Sequence, residues 1–245
     1  PHLADPDWMG MLAGLGIVKG EPFQPDDRTR DILDRAAKSA YKMSRVIAFD
    51  EVVSSRSFRM YPDRLWLNPM ADATAENPSG KLDLSWRRVD RGGALDVDSR
   101  PWYFSNYYSV SPGMLSQIPG IGAFYIIAFT DSDGQPLSGG TNYRLNLPKD
   151  VPAANFWSLT LYEAENASGL ANGQPFPSLG SRDNPVQNAD GSTDLYLGPE
   201  APQGQEQNWL ATVPGKGYFA ILRLYGPTEP ALMKTWKPGD IEKAN

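Results

Sequence analysis

The chain has 245 residues, 40% of them hydrophobic and 21% charged, enough to bury a substantial core without disulfides or a metal. A net charge of -6 argues against a surface that neutralises nucleic-acid phosphates or docks on anionic lipid. With no cysteine and a single histidine, His2, the sequence excludes a cysteine nucleophile, a histidine-assisted triad in the body of the domain, cysteine or multi-histidine metal sites and cluster ligation.

Catalysis, if any, falls to carboxylates, Lys, Arg, Tyr, Ser or Thr, and no resident metal or cofactor is expected. The 23 glycines and 22 prolines punctuate the chain at short intervals, which favours many turns and β structure over long helices. No apolar stretch approaches the roughly 20 residues needed to cross a bilayer. The chain begins at Pro1, as expected of a processed or truncated product.

The first predicted elements are helical. Residues 8–18 are apolar and stop before Gly20. Residues 25–49 place Ile32, Leu33, Ala36, Ala37, Ala40, Met43 and Ile47 near one face at three- and four-residue spacing, with Asp26 or Asp27 as the cap. Residues 58–113 give no clear period. Their basic cluster, Arg87, Arg88 and Arg91, is flanked by Asp83, Asp90 and Asp96 and reads as a solvated surface. Their aromatic runs, Trp102, Tyr103 and Phe104 with Tyr107 and Tyr108, read as packing, since no continuous basic stripe accompanies them.

Beyond Gly120 the period becomes two. Residues 124–130 form an apolar run that ends in the Asp131-Ser132-Asp133-Gly134 turn. Residues 142–147 alternate, with Tyr143, Leu145 and Leu147 on one face. Residues 156–163 alternate likewise, Trp157, Leu159 and Leu161 against Phe156, Ser158, Thr160 and Tyr162. Residues 166–188 make a long polar loop, either functional or an excursion over a sheet edge. Residues 193–197 give another strand, and residues 218–225 are apolar on both faces, as in the central strand of a covered sheet. The pattern predicts a mainly β fold, a jelly-roll-like antiparallel β-sandwich over 58–245 with an N-terminal helical segment over 1–57, its long helix packed on one side of the sandwich. The alternative is an open antiparallel sheet covered by the long helix.

Short motifs exclude more than they assign. Asp131-Ser132-Asp133-Gly134 opens like a calcium loop, but its glycine comes too early and no bidentate Glu follows, so it reads as a hairpin turn. Asn166-Ala167-Ser168 fits a glycosylation acceptor, relevant only to a secreted eukaryotic chain. Gly14, Gly16 and Gly20 lack the strand and spacing of a dinucleotide loop, and Val213-Pro214-Gly215-Lys216-Gly217 lacks the Ser or Thr and helix of a phosphate loop. Glu163, Glu165, Asp183, Asp190, Glu200 and Glu206 fall in or beside loops, so spacing selects no acid–base pair among them.

Arg223 stands out. An arginine between Ile221 and Tyr225 on an apolar strand must either meet a carboxylate or line a polar cavity. The first outcome is a structural salt bridge, the second an anion clamp. Its candidate neighbours are Ser158, Thr160 and Tyr162, with Tyr125, Asn208 and Lys216 at the rim. The candidate binding set is therefore Arg223, Tyr162, Asn208, Lys216, Tyr125 and Trp157, with Lys216 and Tyr162 also candidate acid or base groups.

Several ordered motifs, Thr130-Asp131-x-Asp133-Gly134-x-Pro136-Leu137-x-Gly139-Gly140, Phe156-Trp157-Ser158, Asn208-Trp209-x-x-Thr212-Val213-Pro214-Gly215-Lys216-Gly217 and Arg223-Leu224-Tyr225-Gly226-Pro227, resemble the family called domain of unknown function 1214. The resemblance runs from about Gly120 to the closing Lys234–Glu242 segment. It implies a jelly-roll-like domain and homo-oligomers, in bacterial proteins that are often exported, hence a periplasmic or secreted location. A further module of unknown function, numbered 1254, usually precedes the domain, so a missing N-terminal module is an implied partner. No activity comes with the resemblance. Three functional readings follow: a hydrolase or lyase pocket for a small anionic or amphipathic molecule around Arg223, a structural or assembly module, and a carbohydrate-binding module using exposed Trp or Tyr.

Overall fold

The computed structural model describes residues 6–49, 59–68 and 118–244. His2, the Arg87, Arg88 and Arg91 cluster, the aromatic runs at 102–108 and the boundary near residue 57 lie outside the described residues.

The described part is mainly β. Its strands are β1 (Ala123–Ala128), β2 (Tyr143–Leu147), β3 (Ala153–Glu163), β4 (Ser178–Gly180), β5 (Thr193–Gly198), β6 (Trp209–Ala211), β7 (Tyr218–Pro227) and β8 (Glu242–Lys243). They form two four-stranded sheets, ordered β1-β7-β3-β4 and β6-β5-β2-β8. Pairing is antiparallel except between β5 and β6, which run parallel through Tyr196↔Trp209 and Leu197↔Leu210. That pair departs from the all-antiparallel expectation. The connection from β5 to β6 is not a hairpin, and the short turn at Glu206–Asn208 delivers β6 in the same direction as β5.

Alternation in the sequence sets which face is buried. Leu159 and Leu161 of β3, Leu222 and Leu224 of β7, Tyr143, Leu145 and Leu147 of β2, and Leu195 and Leu197 of β5 belong to one hydrophobic cluster shared by both sheets. β7 is central in its sheet and is buried on both faces over Tyr218–Leu222. Residues 59–68 extend this packing: Met60, Tyr61 and Trp66 join the core, and Leu67 pairs with Ile127 at the β1 edge.

The helices do less than their sequence suggests. α1 spans Pro6–Gly14, shorter than the predicted 8–18, and the chain turns at Gly16 with φ +80. α2 spans Asp27–Phe49, and the Asp26 carboxylate accepts the Thr29 amide at 2.7 Å, the predicted cap. Among the described residues the expected packing of α2 on the sandwich is not seen. Met43 and Val46 are 61% and 64% exposed, and its hydrogen bonds to the β domain include Tyr41 donating to the Glu165 carbonyl and Arg45 to the Ala164 carbonyl at 3.3 Å.

The Asp131 turn is a closed hairpin turn. Asp131 Oδ1 accepts the amides of Asp133 (3.0 Å) and Gln135 (2.9 Å), and Lys243 of β8 lies 2.9 Å from Asp133 Oδ2 and 3.4 Å from Asp131 Oδ2. The second approach is an ion pair without hydrogen-bond alignment. Since Asp131 is fully buried, Lys243 is its counter-charge, and the paired carboxylates hold the ammonium above its ordinary pKa. Lys243→Met is expected to lower the thermal midpoint, measured by circular dichroism, whereas Asp133→Ala, which removes only an exposed partner, changes it less.

Candidate functional site

On β7 the odd residues face away from the core. Register places Tyr125 of β1 and Ser158 of β3 on either side of Arg223, and Phe156 beside Tyr225 one step along. The outer face of this sheet is thus a run of aromatics with one strand-borne arginine. Phe156 stacks on Tyr225 at 4.0 Å, Tyr162 on Phe219 at 5.3 Å, and Phe129 packs against Phe219 at 5.0 Å.

Arg223 is held within this aromatic set. Its Nη2 donates to the Tyr162 hydroxyl, and its Cζ lies 5.2 Å from the Tyr125 ring centroid and 5.3 Å from that of Tyr162. Such contacts contribute about 0.5–2 kcal/mol each, more where water is excluded. Among the described residues no carboxylate reaches Arg223 within ion-pair distance. Burial pushes the Tyr125 phenol above its ordinary pKa, and the arginine offsets part of that rise. The Tyr125 phenol is therefore a neutral hydrogen-bonding group at neutral pH and does not cancel the guanidinium charge. A second arginine shares the face: Arg182, from the turn after β4, lies 3.8 Å over the Phe156 ring.

Of the six candidates named from sequence, the structure brings together Arg223, Tyr162 and Tyr125. The other three lie elsewhere. Lys216 pairs with Glu163 at 3.0 Å, beside the Glu163↔Tyr218 row. That row is five residues from Arg223, roughly 16 Å at the strand rise. Asn208 is buried at the end of the Glu206–Asn208 turn, beside the opposite sheet, where it accepts the Val186 amide (2.7 Å) and donates to the carbonyls of Val186 and Asp194 (2.8 Å each). Trp157 points to the core side of β3 and is 7% exposed. Thr160, offered as a neighbour, shares a 3.0 Å hydrogen bond with Ser178 of β4.

Sequence reasoning placed Phe156 on the Ser158 and Tyr162 face of its strand but named neither it, Tyr225 nor Arg182 as a site residue. Phe156 and Tyr225 become partners once β3 and β7 are paired; Arg182, in a loop, carried no periodic signal. Among the described residues no group of His, Asp and Glu is placed to hold a metal, and no helix is long and apolar enough to cross a membrane. Of the Trp and Tyr rings that a carbohydrate-binding surface would use, the tryptophans offer no exposed platform among the described residues: Trp66, Trp157 and Trp236 are buried and Trp209 half-buried, its Nε1 donating to the Gly198 carbonyl at 3.0 Å.

No curated protein matches the chain. The crystal structure of the VPA0106 protein from Vibrio parahaemolyticus is similar at 18% identity and a TM-score of 0.48, over 99% of this chain and 51% of that one. The structure of an uncharacterized protein from Burkholderia cenocepacia is similar at 14% identity and a TM-score of 0.35, over 65% of this chain and 46% of that one. The chain thus spans about half the length of these two structures. Residues 122–229, which contain β1 to β7 and the Arg223 cluster, match the family described as Protein of unknown function (DUF1214), the same family that the sequence motifs resemble.

Proposed function

We propose that the outer face of the β1-β7-β3 sheet binds a small anionic or amphipathic molecule, with Arg223 as the charged contact and Tyr125 and Tyr162 as hydrogen-bonding flanks. One observation carries the reading: a half-buried guanidinium on a strand face with phenols around it and no carboxylate partner among the described residues. A cation taken out of water without a counter-charge is costly, so such a site favours an anion supplied from outside. The stacked Phe156 and Tyr225 offer apolar area for the remainder of an amphipathic ligand.

Binding is the function proposed, not turnover. Of the two candidate acid or base groups, Lys216 is committed to Glu163 away from Arg223, and the Tyr162 hydroxyl is engaged by the Arg223 guanidinium. Periplasmic or secreted residence and self-association belong to the same proposal, on the family resemblance, and cell fractionation and light scattering test them.

The direct test is calorimetric titration with inorganic phosphate, acetate and octanoate. Loss of one charge-assisted hydrogen bond, about 1.5–3 kcal/mol, predicts binding about 10- to 100-fold weaker in Arg223→Met. Tyr162→Phe, which keeps the ring, should weaken binding less. Unchanged binding by folded Arg223→Met protein would sink the reading.

A further inference from the structure

On the core side of β3, opposite Arg223, a cleft of about 370 Å³ opens between the two sheets, lined by Trp157, Ser181, Asn184, Pro185, Gln187 and Thr193. Two strands supply its floor, Trp157 from β3 and Thr193 from β5, 7% and 4% exposed. Its wall is the 181–187 loop, which is tied down at several points. The Trp157 amide donates to Ser181 Oγ at 3.2 Å, the Gly180 amide to Asp183 Oδ2 at 2.7 Å, and Asn208 holds Val186 by two hydrogen bonds. The cleft is therefore built on fixed backbone.

Its polar groups are unusual in being unused. Among the described residues, the Trp157 indole N–H, the Thr193 hydroxyl and the side-chain amides of Asn184 and Gln187 make no hydrogen bond, and none is a sealed buried atom. Ser181 Oγ accepts one bond and retains a proton to donate. Five hydrogen-bonding side chains thus converge, and among the described residues no ionisable side chain lines the space.

That inventory selects a ligand class. A charged molecule would lose hydration with no counter-charge to replace it. An apolar one would strip water from five polar groups, at about 1–3 kcal/mol for each left unpaired. A neutral molecule rich in hydroxyls satisfies donors and acceptors together, and the volume sits at the small end of the roughly 300–1,000 Å³ of ligand sites. We propose that this cleft binds a neutral, hydroxyl-rich small molecule of about monosaccharide size. It is independent of the Arg223 site, since side chains on β3 alternate and the two sites use opposite faces.

The test is calorimetric titration of the full chain with glucose, galactose and N-acetylglucosamine, with glucuronate as the charged control. Saturable binding of at least one neutral sugar is expected, tenfold or more weaker in Thr193→Val and in Gln187→Ala, and unchanged in Arg223→Met. Should the buried Thr193→Val variant fail to fold, the exposed pair Asn184→Ala and Gln187→Ala carries the same test. No saturation by any of the three sugars at millimolar concentrations, equal binding of glucuronate, or unchanged binding in the Asn184 and Gln187 variants would overturn the proposal.

Discussion

Gly139→Ala is expected to destabilise the protein by about 4 kcal/mol or more, while Gly140→Ala at the next position changes stability by less than about 1 kcal/mol. Gly139 is buried where two backbone segments meet: its amide donates to the Lys216 carbonyl at 2.8 Å, and its carbonyl accepts the Thr212 hydroxyl at 2.7 Å. A Cβ there would overlap the Val213 carbonyl oxygen and lie 2.6 Å and 2.9 Å from Val213 C and N. Every one of those atoms is backbone, so no rotamer change relieves the clash, and the segment must move. A Cβ on exposed Gly140 meets nothing within 4 Å, and its φ lies outside the positive region. Urea denaturation followed by tryptophan fluorescence distinguishes the two, and coincident midpoints would refute the argument. The Gly139-Gly140 motif and the Val213–Gly217 motif, far apart in sequence, are two sides of one contact.

That pairing shows what the sequence could and could not reveal. Strand faces were legible because each obeys a local rule: the alternation of Trp157, Leu159 and Leu161 against Ser158, Thr160 and Tyr162 survives intact, with the first set buried and the second turned outward. β4 and β6, three residues each, are too short to carry a period: β4 fell inside the segment 166–188 read as loop, and β6 was assigned no element. The α2 apolar face was read correctly as a face but wrongly as a packed one, since helical periodicity records which residues could be buried together and not what covers them. The site divides in the same way. Tyr162 was found as a same-strand neighbour of the Ser158 row, and Tyr125 as an aromatic in the run before the first turn. Lys216 and Asn208 are adjacent to Arg223 only in a list of motifs. Cross-strand register, which no single segment encodes, separates them from it.

Asn208→Ala is expected to cost about 3 kcal/mol, and Asn208→Asp at least as much at neutral pH. The wild-type amide is matched to its surroundings: its oxygen faces one N–H, and its nitrogen faces two carbonyls. Alanine leaves one donor and two acceptors without a partner, each about 1–3 kcal/mol if sealed, and the exposure of Val186 lets water recover part of this. An ionised Asp keeps the contact to the Val186 amide but turns an acceptor toward both carbonyls. Protonated, it can donate one bond back. The folded state therefore favours the neutral acid and raises its pKa, so the aspartate variant's deficit should be largest at neutral pH and shrink as pH falls through the carboxylate range. Denaturant midpoints for wild type and both variants, at acidic and neutral pH, measure this. If Asn208 were instead a direct ligand contact, both variants would lose binding with stability unchanged. Because Asn208 also fixes Val186 between Asn184 and Gln187, its loss should loosen the wall of the neutral cleft and weaken sugar binding there, while anion binding at Arg223, on the other sheet, stays as it was.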